Sequence, residues 1–192
     1  MSLDHALLVS LLEKPSSGYE LARRFDKSIG HFWHATHQQI YKVLARMEEA
    51  GWIESEVHRG ETAPDRKVFA VTPAGRSALA EWITEPSPID RARSELMIKF
   101  RAAAFDDPRK LLPALAEHRA EHGTLLAAYR ANEAKEFSGH DRPLSPQQEL
   151  QYQVMKLGIA FEETWIAWCD ETQALIHRIA PTPSATATKE TS

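Results

Sequence analysis

The chain contains 192 residues, of which 43% are hydrophobic and 26% charged, and this content is enough to bury one good core together with a helical appendage. Its formal net charge of −4 at pH 7 argues against indiscriminate binding to nucleic acid, but it does not exclude a local binding surface. A single cysteine excludes a disulfide framework, and the chain has neither an apolar run long enough to span a membrane nor a basic signal peptide, so the cytoplasm is the predicted location.

Two helix-capping signals stand in the first part of the chain. Ser17 and Glu20 are three residues apart, so the serine oxygen can accept from the backbone N–H of Glu20 while the carboxylate reaches back. Thr36 and Gln39 have the same relation. After Thr36 the apolar residues recur at helical spacing and predict one packed face: Ile40, Val43, Leu44 and Met47. The polar residues between them are predicted to face outward: Gln38, Gln39, Lys42 and Arg46.

A two-stranded ribbon and a further helix are predicted next. Gly51 ends the preceding helix as a glycine C-cap, residues 52–57 alternate in strand fashion, and residues 67–71 form a second strand that returns antiparallel. Thr72 then caps a helix with Pro73 in its first turn, where the missing N–H costs nothing. Two helices followed by such a hairpin predict a winged helix-turn-helix, which is a DNA-binding fold. The alternative is a scaffold of the same shape that contacts no nucleic acid.

Several short motifs follow one another along this segment. They are residues 5–8 (HALL), 15–21 (PSSGYEL), 39–41 (QIY) with Leu44 and Gly51, 66–69 (RKVF) and 72–75 (TPAG). In this order and spacing, the part of the chain from residue 3 to residue 83 resembles the PadR family of bacterial transcriptional regulators. The family often has glycine where Gln38 stands and tyrosine where Phe69 stands. The first difference bears on how bases are read, and the second bears on packing.

Double-stranded DNA is the predicted partner of this domain. Residues 36–46 are expected to enter the major groove, with Gln38 and Gln39 at base edges. The wing is expected to reach the backbone or the minor groove through its cations. The full predicted set of DNA-binding residues is Tyr19, Thr36, His37, Gln38, Gln39, Tyr41, Lys42, Arg46, Arg59, Arg66 and Lys67. Within it, Tyr41, Lys42 and Arg46 are assigned to phosphates or guanine, and Tyr19 to a phosphate.

The rest of the chain is predicted to be helical. Residues 84–88 form a short breaker, and the pairs Ser87-Pro88, Asp107-Pro108 and Ser145-Pro146 each repeat the signature of a cap followed by proline. They predict helices over about residues 88–105, 108–137 and 146–180. The tail after Pro181 lacks the apolar residues needed to fold. The predicted organisation is therefore a winged-helix domain over residues 1–84, a helical domain over residues 85–181 and a disordered tail over residues 182–192.

The last predicted helix carries an apolar stripe at spacings of three and four. Its members are Leu150, Val154, Leu157, Phe161, Trp165, Trp168, Leu175 and Ile179. One subunit of this size could hardly cover such a seam, so a partner helix and a homodimer are expected. The resemblance implies the same, because this region of the family is an all-helical dimerisation domain. The alternative is that the stripe packs only inside one monomer.

Other residues suggest chemistry of a different kind. His118, Glu121 and His122 match an inverted zinc-protease pattern, which leaves open a metal site or a pair of packing or interface histidines. His31, His34 and His37 cluster before the reading helix, which is the helix predicted after Thr36 to enter the major groove. They are expected to face phosphate or form turns, with a metal site as the alternative. Cys169 lies among aromatic and apolar residues, which favours a buried, inert thiol. No catalytic residue and no cofactor are predicted.

Tryptophans suggest a pocket for an effector. Trp33, Trp82, Trp165 and Trp168 are expected near the junctions of domains and subunits, where small-molecule pockets commonly form, although they can equally serve as core. The resemblance favours the pocket, since relatives respond to small aromatic or cationic compounds. The predicted function is a homodimeric, ligand-responsive repressor that binds an inverted-repeat operator and responds to a small aromatic or amphipathic compound. The alternatives are a metal-responsive regulator using His118 and His122, or a protein-interaction adaptor built on the winged helix.

Overall fold

The computed structural model describes residues 2–26, 29, 33–58, 66–87, 94–137 and 143–180. These residues are mostly helical with one small three-stranded sheet, which confirms the mainly α fold predicted from the sequence. The chain divides into two compact units, residues 1–90 and residues 91–192. The wing loop, residues 59–65, and the predicted tail, residues 182–192, lie outside the described ranges.

The first unit is a winged helix-turn-helix. Its elements in chain order are α1 (Ser2–Glu13), β1 (Ser16–Ser17), α2 (Gly18–Asp26), α3 (His37–Glu49), β2 (Ile53–His58), β3 (Arg66–Val71) and α4 (Pro73–Ile83). The sheet has the order β1-β3-β2 with antiparallel neighbours, and the hairpin register pairs Ile53 with Val71 and His58 with Arg66. The strand β1 is too short to leave a pattern in the sequence. It pairs with β3 and adds a third strand to the predicted ribbon.

Apolar faces of α1, α2 and α3 form the core of this unit. The predicted inner face of α3 is confirmed, because Ile40, Val43, Leu44 and Met47 are all buried. They pack with side chains of the neighbouring elements, including Leu7, Leu8 and Leu11 of α1, Leu21 and Phe25 of α2, Ile53 of β2 and Phe69 of β3. Burial of this kind fixes α3 on one side and leaves its polar side for a partner.

Local hydrogen bonds hold both ends of α3. The capping box predicted at Thr36 and Gln39 is present, with each residue accepting a backbone N–H from the other. At the other end Gly51 has φ +71°, a conformation that favours glycine, and the N–H of Trp52 donates to the carbonyl of Met47 at 2.9 Å. The predicted box at Ser17 and Glu20 is also present and starts α2. These caps set where the reading helix begins and ends.

A close contact between α4 and the turn after α3 gives a stability prediction. A Cβ added at Gly75 would lie 2.2 Å from the backbone oxygen of Trp52, whereas one added at Gly123, in the middle of a helix, would meet nothing within 4 Å. We expect Gly75→Ala to lower the free energy of unfolding by about 1–3 kcal/mol because the backbone must move. Gly123→Ala is the matched control and should raise it by about 0.5–1 kcal/mol. Chemical denaturation measures both changes, and equal effects would contradict the Gly75 contact.

The second unit is helical. It contains α5 (Glu95–Ala103), a 3-10 turn (Pro108–Leu111), α6 (Leu112–Glu136) and α7 (Pro146–Ile179). The helices α6 and α7 run antiparallel, since Arg119 bonds Asp170 near one end while Arg130 bonds Glu163 further along α6. Within the described ranges, no helix combines the length and the apolar character that crossing a bilayer requires.

Two predicted helices differ from the structure near their starts. The helix expected over about residues 88–105 is interrupted at Ser94, an extended N-cap whose side chain accepts the N–H of Met97 at 3.3 Å, and α5 begins at Glu95. The expected start at residue 88 lies outside the described residues. The helix expected from residue 108 begins as a 3-10 turn, and the α-helix starts only at Leu112. Pro113 explains the second difference. In the interior of a helix it would remove a hydrogen bond and clash with the preceding turn, whereas the first turn tolerates it.

A small core joins α5, α6 and α7. Leu111, Leu115, Cys169 and Ile176 are buried there, with Phe100 and Trp168 packed against them. The prediction that Cys169 is a buried thiol is confirmed, and burial raises the pKa of that thiol. A neutral, enclosed thiol is unreactive. Cys169 therefore serves as a small apolar side chain.

Candidate nucleic-acid interface

The outer side of α3 is a polar, exposed surface. Gln38, Tyr41 and Lys42 are all exposed there. Lys42 makes no ion pair within the part of the chain that the structure describes, so its charge is available to a partner at no internal cost. His37, at the start of the helix, pairs through its Nε2 with an oxygen of Asp26 at 2.9 Å. This side of α3 is the centre of the candidate interface.

Gln39 is exposed, but its side chain already forms a hydrogen bond in the capping box. Its side-chain oxygen accepts the backbone N–H of Thr36 at 2.8 Å. A bidentate contact with adenine needs both the oxygen and the nitrogen of the amide. Gln39 therefore cannot read adenine in that way while the cap stays intact. Gln38 makes no side-chain hydrogen bond within the described residues and is the better candidate to contact a base edge.

Arg46 lies on the same exposed side, yet it is tied to the protein interior. Its guanidinium pairs with the carboxylate of Asp4 on α1, and the side chain of Asp4 is only 6% exposed. A buried carboxylate that loses its cation costs several kcal/mol, on the order of 3–5 for a fully buried pair. DNA would have to supply that energy to recruit Arg46. The pairing thus favours a structural role over the DNA contact expected from the sequence.

The cations at the base of the wing are also paired, but with carboxylates that are exposed or half-buried. Arg66 bonds Glu20 of α2 at 2.7 Å, and Lys67 bonds Glu48 of α3 at 2.7 Å. The carboxylate side chains are 46% and 32% exposed, respectively. Exposed pairs stabilise by only about 0–1 kcal/mol, so phosphate can replace these carboxylates at small cost. Arg59 lies outside the described residues.

Two tyrosines flank the point where α2 meets α3. Tyr19 is exposed, and the guanidinium of Arg23 lies 5.7 Å from the centre of its ring. Tyr41 is exposed as well and packs so closely on Gly18 that a Cβ there would lie 2.5 Å from the ring. Glycine at position 18 lets the two helices approach. The sequence motif contains both residues, but it does not reveal that they are in contact.

The outer face of α7 is apolar and exposed in the single chain. Six of the eight predicted seam residues are exposed: Leu150, Val154, Leu157, Phe161, Leu175 and Ile179. The buried residues of α7 form a different face: Ile159, Glu162, Cys169, Thr172 and Ile176. Trp165 and Trp168 differ from the other six, because they are half-buried against their own chain. The ring of Trp165 stacks on that of His122 with 4.9 Å between the ring centres, and the ring centres of Trp168 and Phe100 are 5.0 Å apart.

Similarity to known proteins covers both units. Residues 7–81 match the family model described as the transcriptional regulator PadR-like family, and residues 92–177 match the one described as virulence activator alpha C-term. A Mycobacterium tuberculosis protein named probable transcriptional regulator Rv1176c is 42% identical over 181 residues, which cover 89% of this chain and 95% of that protein. The chain belongs to the PadR-like family of transcriptional regulators. That family consists of regulators, not of enzymes.

Solved structures of similar proteins have the same fold. The Vibrio cholerae virulence activator AphA is 32% identical, with a TM-score of 0.73 over 93% of this chain and 100% of that one. Bacillus subtilis PadR, solved in complex with operator DNA, has a TM-score of 0.76 over 92% of this chain and 99% of that one, at 22% identity. The same B. subtilis protein has been solved with p-coumaric acid. At this identity the PadR structures establish the fold alone.

In this PadR-family chain the two histidines of the inverted zinc-protease pattern are held by packing. His122 pairs through its Nδ1 with the buried carboxylate of Glu162, and its ring stacks on Trp165. The ring of His118 lies 6.1 Å from that of Trp165. Across the described residues, no three His, Cys, Asp or Glu side chains are grouped so that they could hold a metal ion. The geometry favours a packing role for His118 and His122 over a metal site. His31 lies outside the described residues.

The four tryptophans of the predicted effector pocket have separate surroundings. In the first unit Trp82 stacks on His5 at 4.4 Å, and Trp33 is exposed. In the second unit Trp165 and Trp168 pack edge to face at 5.4 Å. An apolar groove of about 390 Å³ lies between α5, the 3-10 turn and the end of α7. Its lining includes Phe100, Leu111, Leu175 and Ile179 but none of the tryptophans. The tryptophan pocket stays a prediction.

Proposed function

We propose that the chain binds a specific sequence in double-stranded DNA and represses transcription. The observation that carries this proposal is the exposed side of α3. Gln38 and Lys42 make no side-chain hydrogen bond or ion pair there within the described residues, and the wing cations Arg66 and Lys67 pair with carboxylates that phosphate can replace. The B. subtilis relative supports it, because that protein is named a negative transcriptional regulator and has been solved with operator DNA. A regulator of this kind works where the chromosome lies, so we propose the cytoplasm as its location.

Each side chain has a proposed role. Gln38 contacts a base edge, while Lys42, Tyr41 and Tyr19 meet phosphates from α3 and α2. Arg66 and Lys67, together with Arg59, reach the backbone or the minor groove from the wing. Thr36, His37 and Gln39 keep the start of α3 in place, and Arg46 fixes α3 on α1. This division separates the contacts that read sequence from those that position the domain.

We also propose that the protein acts as a homodimer on an inverted repeat. The exposed face of α7 supports this, because it repeats apolar residues at heptad spacing over several turns. A second copy of the same face would cover it, and two-fold symmetry would present α3 twice to matching half-sites. Trp165 and Trp168 are half-buried within their own chain, so they contribute less to this surface than the six exposed residues.

A gel-shift assay with DNA from immediately upstream of the protein's own coding region tests the function. Specific retention, resistant to an excess of random duplex, is the expected result. An adaptor built on a winged helix would leave the DNA unbound. A zinc-dependent response of the shift would instead favour the metal-responsive alternative that uses His118 and His122.

Lys42 should contribute affinity without contributing specificity. We expect Lys42→Ala to weaken binding to the upstream DNA and to random duplex alike, and to lower the slope of log K against log salt by about one for each subunit. Fluorescence anisotropy over a salt series measures both quantities. Arg76→Ala is the matched control, because Arg76 is exposed on α4 and makes no ion pair within the described part of the chain. An unchanged slope for Lys42→Ala would place Lys42 outside the interface.

We propose further that a small aromatic or amphipathic compound weakens operator binding. The p-coumaric acid complex of B. subtilis PadR supports this class of effector. A ligand shifts the protein between DNA-competent and incompetent states only by its difference in affinity for them. A compound that quenches tryptophan fluorescence and lowers operator affinity at the same concentration would have this role.

A further inference from the structure

The wing cations face carboxylates from both helices of the helix-turn-helix. Glu48 stands in the last turn of α3, where the helix dipole disfavours a negative charge. Its position is explained by its partners, because Lys67 donates to one carboxylate oxygen at 2.7 Å and the hydroxyl of Ser55 donates to the other. Hydrogen bonds from Lys67 and Ser55 hold the pKa of the Glu48 carboxyl below its usual value. Glu48 therefore ties the end of α3 to both strands of the wing.

Glu20 has the corresponding place on α2. One of its oxygens accepts the backbone N–H of Ser17 in the capping box, and the other accepts from Arg66 at 2.7 Å. The backbone hydrogen bond from Ser17, together with the charge of Arg66, holds the pKa of Glu20 below its usual value. Both carboxylates are thus ionised at neutral pH. Each proposed DNA-contacting cation of the described wing strands is neutralised in the free protein.

We propose that Glu20 and Glu48 compete with DNA phosphate for Arg66 and Lys67, and thereby limit the affinity of the protein for DNA. The inference rests on the proposed DNA-binding function. A carboxylate and a phosphate offer the same kind of acceptor to a guanidinium or an ammonium group. Each cation therefore has to leave or share its carboxylate before it can contact DNA, and the released carboxylate then stands near negative phosphates.

The charge balance of the domain makes this competition consequential. Residues 1–85 contain ten Lys and Arg against twelve Asp and Glu, so few cations are available for phosphate contacts. Such contacts supply essentially all of the affinity for random DNA. Competition for two of the cations lowers binding to every sequence, and only a site that adds base contacts then retains the protein.

Charge-neutral variants that keep the local hydrogen bonds provide the test. Glu48→Gln retains an acceptor for Ser55 and Lys67, and Glu20→Gln retains the capping box, which glutamine also fits. Glu54→Gln is the matched control, because Glu54 is exposed on β2 and makes no ion pair within the described residues. Circular dichroism establishes that each variant is folded. Anisotropy with the upstream DNA and with random duplex of equal length, over a salt series, measures affinity and salt slope.

We expect Glu20→Gln and Glu48→Gln each to tighten binding to both DNAs by about two- to twenty-five-fold for a dimer. This range is the square of the factor of about 1.4–5 that a solvent-accessible ion pair represents in each subunit. The salt slope should steepen by up to about one for each subunit, and Glu54→Gln should change both quantities less. Weaker or unchanged DNA binding by Glu20→Gln and Glu48→Gln would mean that the two carboxylates only stabilise the wing. An equal gain in affinity for Glu54→Gln would mean that the gain comes from the change in net charge and not from the release of Arg66 and Lys67. Either result overturns the competition while DNA binding stands. Absence of binding by every folded protein would overturn the proposed function and this inference together.

Discussion

Leu157→Glu is expected to produce a folded monomer that has lost operator binding. Leu157 lies in the exposed apolar face of α7, where its side chain is 73% exposed in the single chain, so a carboxylate there leaves the monomer core untouched. In a dimer the same carboxylate would be buried without a partner in each subunit. A cost of at least about 2 kcal/mol per subunit weakens dimerisation roughly a thousand-fold. A monomer presents α3 to only one half-site, and operator affinity falls with it.

Sedimentation and circular dichroism measure this effect together. Gln173→Glu is the matched control, since Gln173 is exposed on the same helix, does not share the three- and four-residue spacing of the apolar stripe and receives the same charge. The control should remain dimeric and bind DNA as the unmodified protein does. A stable Leu157→Glu dimer that binds the operator tightly would show that this face of α7 is not the interface.

Arg46→Met should destabilise the first unit strongly. The change removes the cation from the buried carboxylate of Asp4 and leaves that charge without its ion-pair partner. We expect the free energy of unfolding to fall by about 2–4 kcal/mol, somewhat less than for a fully buried pair, because the guanidinium side is 51% exposed. Denaturation with urea at neutral pH measures the loss. An effect of this size would make Arg46 a support of α3, in line with its proposed role.

A second substitution separates lost pairing from lost packing. Asp4→Asn removes the negative charge that Arg46→Met leaves without a partner. The double variant should therefore be more stable than the sum of the two single changes predicts. A positive coupling of at least about 1 kcal/mol is expected for groups in direct contact. Strictly additive changes in the free energy of unfolding, or a loss below about 0.5 kcal/mol for Arg46→Met, would show that the pair contributes little to stability. Arg46 would then be available to contact phosphate, as the other surface cations are.

Local signals in the sequence were sufficient for much of the fold. Caps depend on residues three apart, so the boxes at Thr36 and Ser17 could be read directly, and the buried face of α3 follows from its periodicity. The start of α6 was missed because Asp107-Pro108 gives a cap signal, while Pro113 prevents an α-helix from continuing through that point. Local rules fail where two of them conflict within a few residues.

The candidate interface depended more on contacts between distant residues. Arg46 and Asp4 are separated by 42 positions, and Lys67 and Glu48 by 19, so no sequence pattern shows that they pair. The sequence identified the exposed side of α3, but it could not tell Lys42, which is unpaired within the described residues, from Arg46, which is held by a buried carboxylate. Exposure follows from periodicity, whereas availability for DNA follows from tertiary structure.

The same limit applies to α7. The heptad spacing identified an apolar stripe, and six of its members are exposed in the single chain. Trp165 and Trp168 continue that spacing but turn toward their own chain, because His122 and Phe100 offer flat surfaces on which they stack or pack. Contacts between side chains of different helices determine which way the two tryptophans face. The order of residues along α7 alone does not show these contacts.

Selection from a pool of random duplex DNA tests whether the chain is a sequence-specific, dimeric DNA-binding regulator. The purified protein retains DNA over several rounds, and sequencing identifies what it has enriched. A sequence-specific dimeric regulator predicts one enriched inverted repeat, with half-sites centred about one helical turn or a multiple of it apart, bound by two copies of the chain. Retained DNA with no enriched sequence, or no retained DNA at all from a folded protein, would show that the chain does not recognise a specific DNA sequence.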